Sequence, residues 1–270
     1  MNTSPLTSNT CYMQHTFLSG LSPLAISLGL FIGMILIYFI ANQLAKLPSF
    51  SKYVDDTINP IEGSLLGLLA LLLAFTFGMS ASRYESRRAV MLSEANNIGT
   101  AILRCDLYPD STRIVLKNYL KSYVEARIDY FQSGNDEAKE KKAMAETEKW
   151  DNQIWSEVAK ASKIKDNLVA SNQMIPALNA MIDIVTNRNA EKNATVPDSI
   201  LWLLFLLCFI SSFILGFQKS SSRNPYIISI VFALMVCACI QVIIDLDRPR
   251  QGFINMKGTN QFIVDLRKMF

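Results

Sequence analysis

The chain has 270 residues, half of them apolar, a net charge of +3 and a single histidine, His15. A charge that small and dispersed excludes a nucleic-acid binder, and one histidine leaves imidazole general-base catalysis without a candidate. The apolar residues gather into four runs, about Leu24–Ala41, Gly63–Ser82, Ile200–Phe217 and Tyr226–Leu246. A span needs roughly 20 mostly apolar residues, with about 17 as the lower limit. The sequence therefore predicts an all-α polytopic membrane protein with four transmembrane helices.

In chain order, residues 1–22 are polar and Ser/Thr-rich and read as a flexible tail. No Lys or Arg precedes the first run, so it lacks the positive flank of a secretory signal and reads as a retained span. A linker from Lys46 to Pro60 follows. The second run then crosses straight into charge at Arg83-Tyr-Glu-Ser-Arg-Arg88, and no proline interrupts it before Pro109. That pattern predicts one helix running from the bilayer out into water, about 60 Å long.

Asp110-Ser-Thr112 is an N-cap signal, followed by an apolar face of Ile114, Leu116, Leu120, Val124, Ile128 and Phe131. Ser133-Gly-Asn135 breaks the pattern. Residues 136–163 predict a charged helix buried along Trp150, Ile154, Trp155 and Val158. A third helical segment covers about 167–189, through Leu168, Met174, Leu178, Met181, Ile182 and Val185, with Pro176 starting or kinking it. After Pro197 come two spans joined by Gln218–Asn224, then an amphipathic, basic tail.

The expected organisation is a tail (1–22), a first transmembrane pair (23–82), a cytoplasmic helical domain (83–197), a second transmembrane pair (198–246) and a cytoplasmic C-terminal tail (247–270). With four spans, both termini and the central helices share one side. Near its membrane ends that side carries Arg83, Arg87, Arg88, Arg188, Lys192, Arg248 and Arg250, against Lys46, Lys52, Lys219 and Arg223 opposite. The positive-inside rule makes it cytoplasmic.

The second span carries two stripes. Gly63, Gly67, Ala70, Ala74, Gly78 and Ser82 are small, and spans associate where small residues let backbones approach. Thr76, Ser80, Arg83 and Arg87 form a polar row on another side. In one reading the small residues meet a neighbouring span and the polar row marks the membrane interface. In the other the small stripe packs within an oligomer, while Thr76, Ser80 and the rings of Phe75 and Phe77 face a central pathway. Glu62, Asp245 and Asp247 border the membrane and read as structural ion-pair members. Asp245 and Asp247 are matched with Arg83, Arg87 or Arg88, and Arg248 with Glu85. Glu94 and Arg104 read as solvated or interhelical pairs.

The five cysteines are Cys11, Cys105, Cys208, Cys237 and Cys239, three of them inside spans. Cys237-Ala-Cys239 lacks CxxC spacing and no His/Cys cluster forms, so neither metal, disulfide framework nor redox site is expected. A thiol in an apolar segment usually serves as a small hydrophobe. No phosphate-binding loop, hydrolase elbow or zinc-protease motif occurs, so neither an enzyme nor a cofactor is predicted.

Four blocks resemble the bestrophin-like domain family of mainly bacterial membrane proteins: Leu73-Ala-Phe-Thr-Phe77, Ser82-Arg-Tyr-Glu-Ser-Arg-Arg88, Glu94-Ala-Asn-Asn-Ile-Gly-Thr-Ala-Ile-Leu-Arg104 and Asp245-Leu-Asp-Arg-Pro-Arg-Gln-Gly-Phe-Ile254. The resemblance covers about Ile61 to Ile254. It implies likeness to bestrophins, pentameric ion channels whose second span lines the pore. For this chain it implies a homo-oligomer in a bacterial inner membrane, with Phe75, Thr76, Phe77 and Ser80 at the pathway or its gate. Calcium-gated bestrophins carry an acidic run after the last span, whereas only Asp245 and Asp247 are acidic here. The alternative is a non-conducting membrane scaffold or regulator whose mixed-charge cytoplasmic helices bind a protein partner.

Overall fold

The computed structural model describes residues 21–47, 58–134, 136–217, 225–248 and 257–270. The N-terminal tail with His15 and Cys11, most of the 46–60 linker, the 218–224 loop and Arg250 lie outside the described residues. Every regular element among the described residues is helical: α1 (Pro23–Ala45), α2 (Ile58–Arg104), α3 (Asp110–Gln132), α4 (Glu137–Ala161), α5 (Leu168–Asn193), α6 (Asp198–Phe217), α7 (Pro225–Asp247) and α8 (Lys257–Asp265).

The rod expected from the second apolar run is a single helix. With 47 residues and no proline past its first turn, α2 keeps its backbone ladder from the apolar run through the charged one and is about 70 Å long. Five described helices are long and apolar enough to cross a membrane, one more than the four runs expected. The additional one is Lys165–Lys192, which contains most of α5 and is the least apolar of the five.

The chain divides into two compact units, one of Met1–Leu66 with Pro197–Cys237, the other of Gly67–Val196 with Ala238–Phe270. In the first, α1 starts cleanly because Ser22 accepts a hydrogen bond from the Ala25 amide at 3.3 Å and Pro23 occupies the first turn. The main pairing is α1 against α6, and it depends on glycine. A Cβ on Gly216 would stand 2.3 Å from the Tyr38 carbonyl oxygen, so only glycine permits that backbone approach. Tyr38, Phe39 and Tyr226 form a ring cluster, with Phe39 and Tyr226 stacked at 5.9 Å. Within this unit the close backbone approach joins α1 and α6.

The second unit is a helical bundle. Ile98 and Ile102 of α2, Cys105 of the 3-10 turn that follows it, Leu116, Leu120 and Val124 of α3, Ile154 and Val158 of α4, and Met174, Leu178 and Met181 of α5 share one core. Local signals behave largely as expected. Asp136 caps α4, accepting the Ala138 and Lys139 amides at 3.1 Å each, and Gly134 takes a left-handed φ of 58° at the turn. The start of α3 shifts by one residue: Pro109 is the N-cap, and Asp110 sits in the first turn, paired with Arg113 at 2.6 Å. Pro176 does not start α5 but lies within it, eight residues after Leu168.

The expected C-terminal tail also needs correction. Residues 257–270 form α8 and a short 3-10 turn whose Ile263 and Leu266 enter the bundle core. Arg267 grips Glu125 of α3 with two hydrogen bonds of 2.8 and 2.5 Å. Leu266 and Met269 lie against the bare backbone of Gly99. Two apolar residues three positions apart gave too short a pattern to predict that docking.

Candidate functional site

One face of α2 is buried from the apolar half to the bundle: Leu69, Thr76, Ser80, Arg87, Met91, Glu94, Ile98, Ala101 and Cys105. At about 100° per residue these positions fall within about 80° of one another. Thr76 Oγ1 donates to the Leu72 carbonyl at 2.6 Å, while the Ser80 hydroxyl is buried with no hydrogen-bond partner among the described residues. Both were expected to face a pathway with the two phenylalanines; the structure turns them into the chain instead. Phe75 and Phe77 remain exposed, by 65% and 46%, and stand about 200° apart around the helix.

The small stripe lies away from the buried face. Gly63, Gly67, Ala70, Ala74, Gly78 and Ser82 are all exposed. A Cβ added at Gly63, Gly67 or Gly78 would meet nothing within 4 Å. Among the described residues, then, nothing presses on this stripe's glycines.

Where α2 leaves its apolar half, Arg87 organises the chain around it. Its Nε donates to the Glu191 carbonyl at 3.2 Å, Nη1 to Leu246 at 3.1 Å and Nη2 to Ala194 at 2.7 Å. These carbonyls belong to the closing turns of α5 and α7, which the helices themselves leave unsatisfied. A guanidinium supplies both their donors and a favourable charge for the two helix C-termini. Asp247 Oδ1 lies 3.9 Å from Arg87 Nη2 and accepts the Val196 amide at 3.0 Å. One buried ion pair thus fastens the α5–α6 connector to the end of α7. Asp245, also buried, accepts from Gln241 at 2.8 Å. Arg88 pairs only at the surface, with Glu85 at 3.9 Å, and half-buried Arg83 approaches Met79 Sδ at 3.9 Å. The backbone amide of Arg248 closes the last turn of α7 onto the Ile244 carbonyl at 2.9 Å.

Two turns further along, Glu94 is fully buried. Its Oε1 accepts from Arg127 Nε of α3 at 2.6 Å and also contacts Arg127 Nη2, and its Oε2 lies 3.5 Å from Arg188 Nη1 of α5. Burial works against charge on this carboxyl and the Arg127 guanidinium works for it. Arg188 stacks on the Tyr130 ring at 4.2 Å, and Arg127 lies over the rings of Tyr130 and Phe131. Of the two readings for Glu94, solvated or interhelical, the structure shows the interhelical one: three helices meet on one carboxylate. A signal was present. Arg87, Met91, Glu94, Ile98, Ala101 and Cys105 alternate by four and three residues, so Glu94 occupies a seam position. Arg127 likewise follows Leu120 and Tyr123 on the inner face of α3. Arg104 donates to the Gln173 carbonyl of α5.

Farther out on the bundle, burial beside Glu148 pushes the Asp151 carboxyl of α4 up to about 6, while the Arg267 hydrogen bonds hold Glu125 below the usual carboxylate range. Among the described residues no group of three His, Cys, Asp or Glu side chains is placed to hold a metal ion. The charged levels join helices to one another, and the open face of α2 is the remaining candidate site.

The comparisons with known proteins point one way. The family model of the Bestrophin-like domain matches residues 24–259. A bacterial bestrophin homologue from Klebsiella pneumoniae, solved by zinc anomalous phasing, has a similar fold, with TM-score 0.68 and 14% identity over 91% of this chain and 96% of that one. A tryptophan-to-alanine variant of the Klebsiella pneumoniae homologue gives TM-score 0.68 at 14% identity, again over 91% and 96%. A membrane protein carrying a proline-to-alanine change gives TM-score 0.70 at 14% identity over 90% and 98%. No curated protein matches the chain in sequence. With the domain matched from the first span into α8, this chain belongs to the bestrophin-like family.

Proposed function

We propose that this chain is the protomer of an oligomeric, bestrophin-like ion channel or pore in a bacterial inner membrane, with α2 lining the pathway. The observation that carries the reading is how little of α2 its own chain covers. Only 17% of its most apolar window is buried, against 33%, 39% and 44% for those of α1, α7 and α6. An apolar helix that bare is completed by neighbouring copies. Leu68, Leu71, Phe75 and Ser82 are exposed and lie within about 60° on one side, and the small stripe adjoins them. We assign the Phe75 row to the pathway, where apolar rings gate by dewetting, and the small stripe to contact with the next copy. Phe77, on the far side, drops out of the gate.

In this reading α1, the apolar half of α2, α6 and α7 cross the membrane. Helix α5 stays in the cytoplasmic bundle, because its buried face includes Ser171 and Arg188 and it packs on α4. Both termini and the bundle lie in the cytoplasm, following the charge asymmetry of the sequence. Such a protein conducts rather than catalyses.

The test is the mass of the detergent-solubilised particle, followed by conductance after reconstitution. A ring of five, five times the 30.3 kDa chain, with conductance raised by Phe75→Ala and unchanged by Phe77→Ala, is expected. A monomer overturns the reading, since four spans enclose too little space for a pathway. The scaffold reading has its own observation: Leu103, Leu107, Ile114, Leu168 and Val169 leave large apolar side chains exposed on the bundle. An oligomer that never conducts would favour it.

A further inference from the structure

A groove of about 730 Å³ runs between α3 and α4, a size within the range of roughly 300–1,000 Å³ usual for small-molecule sites. Two alanines open it. The rings of Tyr119 on α3 and Trp150 on α4 stand 5.9 Å apart and fix the register of this antiparallel pair. Stepping from 119 to 126 along α3 and from 150 to 143 along α4 arrives at Ala126 and Ala143, both buried and both lining the groove. Two methyl groups at one level leave unfilled the space that larger side chains occupy between packed helices.

The charges along this groove are unevenly committed. Glu125 is held by Arg267, Lys139 by Asp136 at 3.3 Å and Glu146 by Lys149 at 3.2 Å. That leaves Asp129 on the α3 wall and Lys142 on the α4 wall, both exposed. Neither forms an ion pair among the described residues. Asp129 adds to the field on Arg267, whose hydrogen bonds go to Glu125. By the register of Tyr119 and Trp150, Asp129 is level with residue 140, about 3 Å along the axis from Lys142. Half-buried Trp150 lies further along α4, about 12 Å beyond Lys142. Helical side chains lean toward their own N-terminus, which brings the indole back toward Lys142. The groove therefore has a dipolar end and an aromatic end, joined by a floor of alanine.

A lone cation at the dipolar end is repelled by Lys142 and a lone anion by Asp129, so the two walls select a molecule carrying both charges. We propose that the α3–α4 groove binds a free amino acid with an aromatic or large apolar side chain. Its ammonium meets Asp129, its carboxylate meets Lys142, and its side chain lies over Ala126 and Ala143 toward Trp150. The site is contained within the bundle and does not depend on whether the protein conducts.

The experiment follows Trp150 fluorescence in the full chain in detergent, with Trp155→Phe and Trp202→Phe so that no other tryptophan contributes. L-Phenylalanine should change the signal saturably. 2-Phenylethylamine, which lacks the carboxylate, and 3-phenylpropionate, which lacks the ammonium, should each bind about fivefold more weakly. Asp129→Asn and Lys142→Met should each weaken phenylalanine binding by about the same factor. The exchanged pair, Asp129→Lys with Lys142→Asp, should recover binding, because a zwitterion can turn round. Both positions are exposed, so these variants leave the bundle core intact. Equal binding of the three ligands would show an apolar groove that does not select a zwitterion. That result, no response to phenylalanine, or binding indifferent to both substitutions would overturn the proposal.

Discussion

Replacing Glu94 with glutamine keeps the shape of the bundle's central side chain and removes its charge. Glu94 is wholly buried, and the side chains of its partners Arg127 and Arg188 are only 1% and 8% exposed. The substitution therefore strands two buried cations rather than one surface charge. Removing one member of a buried pair costs about 3–5 kcal/mol. In a chain of this size each kcal/mol moves a thermal midpoint by about 2–4 °C, so a fall of about 10 °C is expected. Trp150 and Trp155 lie in α4 of the same bundle and the third tryptophan, Trp202, in α6, so intrinsic fluorescence of a Trp202→Phe background on heating in detergent follows the unit concerned. Arg127→Met alone should cost a similar amount. The double variant should cost well below the sum, with coupling above about 2 kcal/mol. A midpoint lowered by under about 2 °C in Glu94→Gln, or strict additivity in the double variant, would refute the view that this carboxylate joins three helices.

Asp247→Asn keeps an acceptor for the Val196 amide but leaves Arg87 without its counter-charge, and should cost about 3 kcal/mol. Faster hydrogen exchange confined to residues 194–196 is the companion readout, and unchanged exchange there would count against the junction. Arg87→Lys should fare little better than Arg87→Gln, since an ammonium cannot reach three carbonyls in a fork. Asp151, raised to about 6 by burial beside Glu148, works in the opposite sense from a salt-bridged acid. Its contribution is present at low pH and is lost as pH rises from about 4 through 6, a loss of about 1 kcal/mol after discounting for solvent. Wild-type midpoints should therefore fall between pH 5 and 7.5 by more than those of Asp151→Asn; equal slopes would remove Asp151 from the account.

What could be read without coordinates was what depends on one helix at a time. The uninterrupted α2 followed from an apolar run passing into charge without proline, and helical spacing found the inner faces of α3, α4 and α5 in part: Leu116, Leu120, Val124, Ile128, Ile154, Val158, Met174, Leu178 and Met181 are buried, whereas Ile114, Trp155, Leu168 and Ile182, read on the same faces, are exposed. What could not be read depends on two or more helices. Periodicity places Glu94 and Arg127 each on an inner face, but says nothing about those faces meeting at one height. The Arg87 junction shows the same limit. A guanidinium finding three backbone carbonyls leaves no trace in side-chain patterns, because every residue offers a carbonyl. Thr76 and Ser80 were open to two readings for a related reason: a hydroxyl on a span can face a lumen or bond its own helix, and Thr76 donates to Leu72, four residues back.

These levels are connected through the stiffness of α2. Phe75 lies 12 residues before Arg87 and 19 before Glu94 on one unbroken helix, about 18 and 28 Å away. The exposed Phe75 side has little within the chain to hold it, whereas Arg87 and Glu94 are held by α3, α5, α7 and the connector after α5. In the proposed channel, the rotation of α2 about its axis, which would decide whether Phe75 or Phe77 faces the pathway, would therefore be set in the bundle. A helix without proline or bulge has no hinge at which a turn at the Arg87 or Glu94 level would be absorbed. In the proposed channel the charged bundle would thus govern the apolar gate, and a partner seated on the bundle would act on the pathway through the same rod.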